Sequence, residues 1–363
     1  MVREDYSNKT LYGLENDGSR YVWITFYFFV VMSSGIGDTI ILLGTTVYHT
    51  FRLHRSIVVI VQHIAVCDLS VAAIAALPRL VSLVADRWVF GNLLCQVMPY
   101  LAQSLSIAGM LLICAMVFCK VAIVAYPIRA RFLIPSRAHK LCAVIWIASI
   151  VPSINYIILN NGKEIPFDYR IYTCYLASIR GIWLHISFVI VFLFVPPLLV
   201  IAVTFPLVKH LIVSREFARK AGGAQRWQGI LTTVLVAAGY CISILPYAVY
   251  RLGESFVEGE TGVRYFHKFY YQVASSLLFV NTISNFYIYS CTVPSFRSFI
   301  SSHVRRYLAW FGCALGKVNP ENSSEAKLAG KDMSTSNITT RTRKHGRTVR
   351  LASEEDIIPA NTD

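Results

Sequence analysis

The chain has 363 residues, of which 55% are hydrophobic and only 15% are charged, and its formal net charge is +14. Its mean hydropathy of +0.53 lies outside the usual range of soluble globular proteins and indicates a multi-pass membrane protein. The basic residues cluster in alternate loops between the apolar segments and do not form one basic domain. We therefore expect no nucleic acid partner despite the net charge.

Apolar residues fall in seven blocks, numbered here spans 1 to 7, and each block approaches or exceeds the roughly 20 residues that cross a bilayer. The blocks are approximately 22–48, 57–84, 93–125, 138–160, 183–213, 227–251 and 267–291. Because lipid cannot satisfy exposed backbone groups, blocks of this length must be helices. We therefore predict an all-α fold, a seven-transmembrane helix bundle.

We expect residues 22–306 to form one domain, made of the bundle and an amphipathic surface helix after span 7. The loops after spans 1, 3, 5 and 7 are basic, whereas the loops on the other side mix both signs of charge. The positive-inside rule then places the N-terminus outside and the C-terminus inside, and we expect the plasma membrane. Residues 1–21 become an extracellular tail without a signal peptide, and Asn8 in Asn8-Lys9-Thr10 is a candidate glycosylation site.

Spans 1 and 2 each carry one acid, Asp38 and Asp68, at a similar depth from the inner side. An ionisable group inside a membrane costs several kcal/mol unless it is paired, solvated or neutralised, and such groups mark functional sites. The alternative is a protonated acid that hydrogen-bonds its neighbours.

Nine cysteines occur without any CxxC pair, which argues against a metal or redox motif. Only Cys95, at the start of span 3, and Cys174, in the second outer loop, lie on the outer side, where disulfides are permitted. A bond between them would tie that loop to the top of span 3.

Span 7 carries Asn281, Asn285 and Tyr289 at intervals of four, so these residues share one helical face, which we expect to point towards Asp68. After Pro294, apolar and basic residues alternate as in a helix that lies on the inner membrane surface. Beyond that helix, Cys313 is a candidate for palmitoylation, with a free thiol as the alternative. Residues 307–363 are hydrophilic, and we expect a disordered cytoplasmic tail.

Several of these features together, in order and spacing, resemble the rhodopsin-like (class A) G-protein-coupled receptors. The matching residues are Asp68, Trp88 with Phe90-Gly91, Cys95 with Cys174, Trp146, Phe194 with Pro197, Pro246, Asn285 with Tyr289, and Phe296 to Phe299. The resemblance covers roughly residues 22–306. It implies an extracellular ligand, a heterotrimeric G protein and, at the tail, arrestin and receptor kinases as partners, besides membrane lipid.

The chain departs from that family at its inner switch. Where the family usually has Asp-Arg-Tyr, this chain has Cys119, Lys120 and Val121, and these residues with Tyr289 are the expected coupling surface. Lysine keeps the charge without the planar bidentate fork of arginine. The tryptophan before Pro246 and the proline of the usual Asn-Pro-x-x-Tyr are also missing. We therefore expect an atypical receptor, with a decoy or an arrestin-biased protein as the alternative.

Two arginines, Arg79 in the outer half of span 2 and Arg251 at the outer end of span 6, favour an anionic small molecule as the ligand. The candidate binding residues are Arg79, Gln103, Ser106, His185, Arg251, Tyr271 and Ser275. A peptide or a lipid is the rival ligand. Alternatively, both arginines extend to the membrane interface or pair with Glu254 and Glu258.

We expect no cofactor apart from a candidate sodium ion, because in the resembling family the acid of span 2 often holds one. Its ligands here would be Asp38, Asp68, Asn281 and Asn285. Two neighbouring acids cannot both stay ionised without a cation, so the alternative is that one acid holds a proton. A transporter is disfavoured because no repeats are visible, and an enzyme because no nucleophile stands beside a base.

Overall fold

The computed structural model of the protein describes residues 17–47, 54–125, 134–160, 164–168, 172–174, 187, 189–213, 223–254 and 263–316. The chain divides into two units, Met1–His303 and Val304–Asp363. The first contains the seven spans. In the second, the described residues continue the helix that begins at Pro294.

The predicted helical bundle is confirmed, and most helices extend beyond the apolar blocks because polar residues continue each helix past the hydrocarbon. Spans 1 to 4 are Asp17–Thr46, Arg55–Ala85, Gly91–Ala125 and Pro135–Asn160. The described part of span 5 is Val189–Val213, spans 6 and 7 are Gly223–Glu254 and Val263–Thr292, and the following helix is Pro294–Gly316.

Within the described residues, five helices are long and apolar enough to cross a membrane: spans 1, 2, 3, 4 and 6. Span 5 contributes a shorter apolar helix, Ile190–Pro206. Span 7 is as long as the others, but the polar face predicted for it lowers its mean hydropathy. Polar residues on one face of a membrane helix are accommodated when that face points into the bundle.

Span 2 is interrupted midway by a π-helical segment, Ala72–Ala76, after which the α-helix resumes at Leu77. A π-helical turn inserts one extra residue into the helix, and such turns are frequent at functional sites. The segment lies between Asp68 and Arg79. The extra residue rotates the outer half of the span relative to the inner half, and this rotation determines the helix face on which Arg79 lies.

Span 3 is buried along much of its length and packs against spans 2, 4, 5 and 6. Ala108, Leu112 and Met116 are among its fully enclosed side chains. Span 4 joins span 2 through a hydrogen bond that Trp146 Nε1 donates to His63 Nδ1 at 3.2 Å.

The outer side is held by the predicted disulfide, which is confirmed: Cys95 and Cys174 are bonded, with their Cα atoms 5.4 Å apart. Cys174 ends a short antiparallel hairpin made of β1, Phe167–Asp168, and β2, Thr173–Cys174. Tyr172 in the same hairpin donates a hydrogen bond of 2.9 Å to Asp86 Oδ1 at the end of span 2. The second outer loop is thus attached to both span 2 and span 3.

Candidate functional site

A cavity of about 260 Å³ opens among spans 2, 3, 5, 6 and 7 beneath the hairpin. Its charged lining residues are Arg79 and Arg251 in the outer half and Asp68 further in. Of the candidate ligand-binding residues, those that line it are Arg79, Gln103, Ser106, Arg251, Tyr271 and Ser275. His185 and Asn8 lie outside the described residues, and so does the side chain of Cys313.

Arg79 is buried, with 4% of its surface exposed, so it does not extend to the membrane interface. Its Nη2 donates a hydrogen bond of 2.8 Å to Gln272 Oε1 of span 7, and Nη1 makes a longer contact of 3.5 Å with Ser275 Oγ. The guanidinium carbon lies 4.8 Å from the ring centroid of Tyr27 in span 1. Arg79 therefore joins spans 1, 2 and 7 at the cavity wall.

Arg251 is also buried, at the outer end of span 6. Near it, Tyr271 packs against Tyr250 with ring centroids 4.7 Å apart and against Tyr247 at 6.3 Å. Glu254 and Glu258, the alternative partners for the arginines, lie where no side chain is described. The outer cavity is thus both cationic and aromatic.

The inner half of the cavity reaches Asp68, whose Oδ2 accepts a hydrogen bond of 2.9 Å from Asn285 Nδ2. Asp38 is also buried, and its Oδ2 accepts a bond of 2.6 Å from Ser34 Oγ. Asn281 lines the cavity beside Asp68. The predicted polar face of span 7 therefore does meet the acid of span 2.

These residues fit a small cation, because oxygen atoms among them lack donors. Asp38 Oδ1 and Asn285 Oδ1 are buried and have no hydrogen-bond partner in the described part of the chain. Carboxylate and amide oxygens are the ligands of hard cations such as sodium. No group of three or more His, Cys, Asp or Glu side chains suited to a metal occurs among the described residues. Asp38, Asp68 and Asn285 are therefore the residues whose oxygen atoms would hold such an ion.

At the inner end of span 3, Lys120 is buried, and its Nζ has no hydrogen-bond partner within the described ranges. The amine lies 6.0 Å from the ring centroid of Tyr289, at the edge of cation-π range. Tyr289 in turn donates from its hydroxyl to Met116 Sδ at 3.3 Å. Cys119 and Val121 are partly buried and pack against the core. The structure therefore brings Lys120 and Tyr289 together.

Sequence reasoning missed three residues around Arg79, namely Tyr27, Gln272 and Ser276. Tyr27 and Ser276 share a hydrogen bond of 3.0 Å between their hydroxyl oxygens, and both are buried. A usable signal existed, because Gln272, Ser275, Ser276 and Phe279 recur with helical spacing on one face of span 7. Tyr27 has no comparable signal, since it is one of several aromatic residues clustered at positions 21–29 of span 1.

Comparison with known proteins gives one family match and two weak relatives. The model of the "7 transmembrane receptor (rhodopsin family)" matches residues 40–289. The vasopressin V1b receptor of Mus musculus is 23% identical over 223 residues, which are 61% of this chain and 52% of the relative. Proteinase-activated receptor 1 of Xenopus laevis is 23% identical over 299 residues, which are 80% of this chain and 66% of the relative. The chain thus covers between half and two thirds of these relatives.

Proposed function

Because the chain belongs to the rhodopsin family of seven-transmembrane receptors, we propose that it binds an extracellular ligand in the outer cavity and signals through heterotrimeric G proteins. The family is a class of receptors and not of enzymes. In this proposal, ligand binding shifts the population of bundle conformations towards one with an open inner cleft. The protein lies in the plasma membrane with its N-terminus outside.

The observation that carries the proposal is a cavity whose lining includes Arg79, Arg251 and Asp68. Buried arginines favour carboxylates or phosphates, which accept charge-assisted hydrogen bonds, so the proposed ligand is an anionic small molecule. Gln103, Ser106, Tyr271 and His185 complete the proposed pocket. A peptide or a lipid is the rival class of ligand.

Coupling is assigned to the inner end of span 3, where Lys120 replaces the family's usual arginine. The acid that usually restrains this position is absent, because Cys119 stands there. A weakened restraint raises the basal population of the open state. We therefore propose that the receptor is partly active without ligand, and that Cys119, Lys120, Val121 and Tyr289 contact the G protein.

The test is basal nucleotide exchange on a G protein mixed with membranes that contain the receptor, without any ligand. Wild type should exceed receptor-free membranes, and Lys120→Arg should change the rate because it alters the switch. Lys140→Arg, an exposed lysine at the start of span 4, is the matched control and should leave the rate at the wild-type level. Equal rates for wild type, Lys120→Arg and receptor-free membranes would contradict coupling.

A second candidate function is a decoy or an arrestin-biased receptor. The observation that favours it is the buried amine of Lys120, which has neither the acid nor the fork geometry of the usual arginine. Arrestin recruitment without nucleotide exchange would support this candidate over G-protein coupling. Receptor kinases would then act on the cytoplasmic tail, residues 307–363.

Three further assignments belong to the same proposal. Asp38, Asp68, Asn281 and Asn285 bind a sodium ion, which supplies the positive charge that two buried carboxylates require. Asn8 carries a glycan on the extracellular tail, residues 1–21. Cys313 is palmitoylated and anchors the end of the surface helix in the inner leaflet.

A further inference from the structure

A cluster of buried polar side chains lies around Arg79 between spans 1, 2 and 7, and we call it the outer polar cluster. Its members, each at most 4% exposed, are Tyr27, Arg79, Ser82, Gln272 and Ser276. Tyr27 belongs to an apolar cluster that also contains Leu83 and Phe279. A buried guanidinium in such surroundings is costly unless a negative charge accompanies it.

No carboxylate supplies that charge among the described residues. Every described contact of Arg79 is neutral: the amide oxygen of Gln272, the hydroxyl of Ser275 and the ring of Tyr27. Asp86, at the outer end of the same span, is held elsewhere. It lies 3.7 Å from Arg20 Nη1 and accepts the hydroxyl of Tyr172 at 2.9 Å.

Three polar atoms of the cluster have no hydrogen-bond partner in the described part of the chain, and each of them can donate a hydrogen bond to an acceptor. Arg79 Nε, Gln272 Nε2 and Ser82 Oγ are buried and lack a hydrogen-bond partner among the residues that the structure describes. The first two can only donate. The orientation of Gln272 is fixed, because a guanidinium has donors alone and therefore takes the amide oxygen, which leaves the amide NH₂ unused.

The unpaired donors of Arg79 and Gln272 need an acceptor, and the charge of Arg79 needs a negative charge nearby. An anion would supply both. A water molecule would accept the free hydrogen bonds but would leave the charge of Arg79 uncompensated. Access exists, because Arg79 and Ser275 also line the cavity. The cluster therefore borders the cavity at Arg79, where an anion would enter, whereas Gln272 and Ser82 do not line the cavity.

We propose that the outer polar cluster is an anion subsite, in which Arg79, Gln272 and Ser82 donate to a chloride ion or to a carboxylate group. If the carboxylate belongs to the receptor's ligand, the subsite rests on the function proposed above. If the occupant is free chloride, it stands without that function. Both sources share the chemistry of a compact, monovalent acceptor.

The test is the melting temperature of the purified full-length receptor in detergent, measured by tryptophan fluorescence, in sodium salts at one fixed sodium concentration. Chloride, acetate and succinate are compared with isethionate, a bulkier sulfonate that serves as the reference. Constant sodium keeps the site at Asp68 unchanged between samples. We expect a saturable rise of about 2–4 °C with at least one of the three test anions.

Gln272→Glu is the decisive variant, because its carboxylate would take the place of the bound anion beside Arg79 with little change of shape. It should melt in isethionate as wild type does with the favoured anion, and it should no longer respond to anions. Arg79→Gln should also lose the response, and Ser82→Ala should weaken it. Arg55→Gln, the same charge change at an exposed position, is the control and should respond like wild type.

A response to chloride identifies a free-ion site, and a response to the carboxylates alone identifies a ligand subsite. Equal melting in all four salts, or an unchanged response in Gln272→Glu, overturns the proposal. Because melting needs no G protein, this failure is separate from failure of the proposed function. If the receptor drives nucleotide exchange but its melting temperature does not respond to anions, only the anion subsite is contradicted.

Discussion

The ring of Phe286 in span 7 lies directly against Gly37 in span 1. A Cβ atom built on Gly37 would lie 2.7 Å from Cγ and 2.9 Å from Cβ of Phe286, which is closer than real Cβ contacts. Phe286 occupies the position at which the resembling family usually has a proline. The two spans therefore meet through an aromatic ring and a glycine next to Asp38.

We predict that Gly37→Ala destabilises the receptor by about 1–3 kcal/mol, because the added methyl group overpacks this contact. Phe286→Leu should be tolerated better in the Gly37→Ala background than alone, so the two changes should couple in a double-mutant cycle. Thermal unfolding in detergent measures both. Gly35→Ala is the matched control, since no atom lies within 4 Å of its Cβ. Equal losses for both alanine variants would contradict the contact.

The disulfide should contribute about 2–4 kcal/mol, because it closes a loop between cysteines 79 residues apart. Cys95→Ala and Cys174→Ala should each lower the melting temperature, and the double variant should be no worse than either single one. Cys291→Ala, which removes an exposed free thiol, should have no comparable effect. A reducing agent should reproduce the loss in wild type but not in the double variant.

Lys120→Met should raise the free energy of unfolding by about 1 kcal/mol or more. It replaces a buried amine that has no hydrogen-bond partner in the described ranges with an apolar chain of similar length. The lost cation-π contact with Tyr289, 6.0 Å away, offsets only part of this gain. Lys140→Met, at an exposed position, should change little. A destabilised Lys120→Met would indicate an anionic partner for the amine.

Sodium should stabilise the wild-type receptor when it replaces choline at constant chloride, because it neutralises the carboxylates of Asp38 and Asp68. Asp68→Asn should abolish the shift in melting temperature, since Asp68 lines the cavity through which an ion would enter. Asp38→Asn should reduce the shift and leave part of it. An identical shift in all three proteins would exclude these acids as the sodium ligands.

Much of the architecture could be predicted because apolar blocks of bilayer length leave the backbone no alternative to helices. Span 3 was expected at 93–125 and is observed at Gly91–Ala125. The pairing of Cys95 with Cys174 followed from topology. The interactions of Arg79 could not be predicted from local sequence, because its partners Tyr27 and Gln272 lie far away in the chain. The fit of Phe286 against Gly37 likewise depends on how the helices approach one another.

The π-helical segment Ala72–Ala76 has a consequence for how sequences of this kind are aligned. The segment acts as a one-residue insertion that leaves the helix continuous. A gapless alignment with a receptor whose second helix is a regular α-helix would therefore place every residue after the segment one position out of register. Deleting one of its alanines would restore a regular α-helix and turn the outer half of span 2 by about 100° relative to the inner half. Arg79 would then leave span 7, while Asp68 would keep its place.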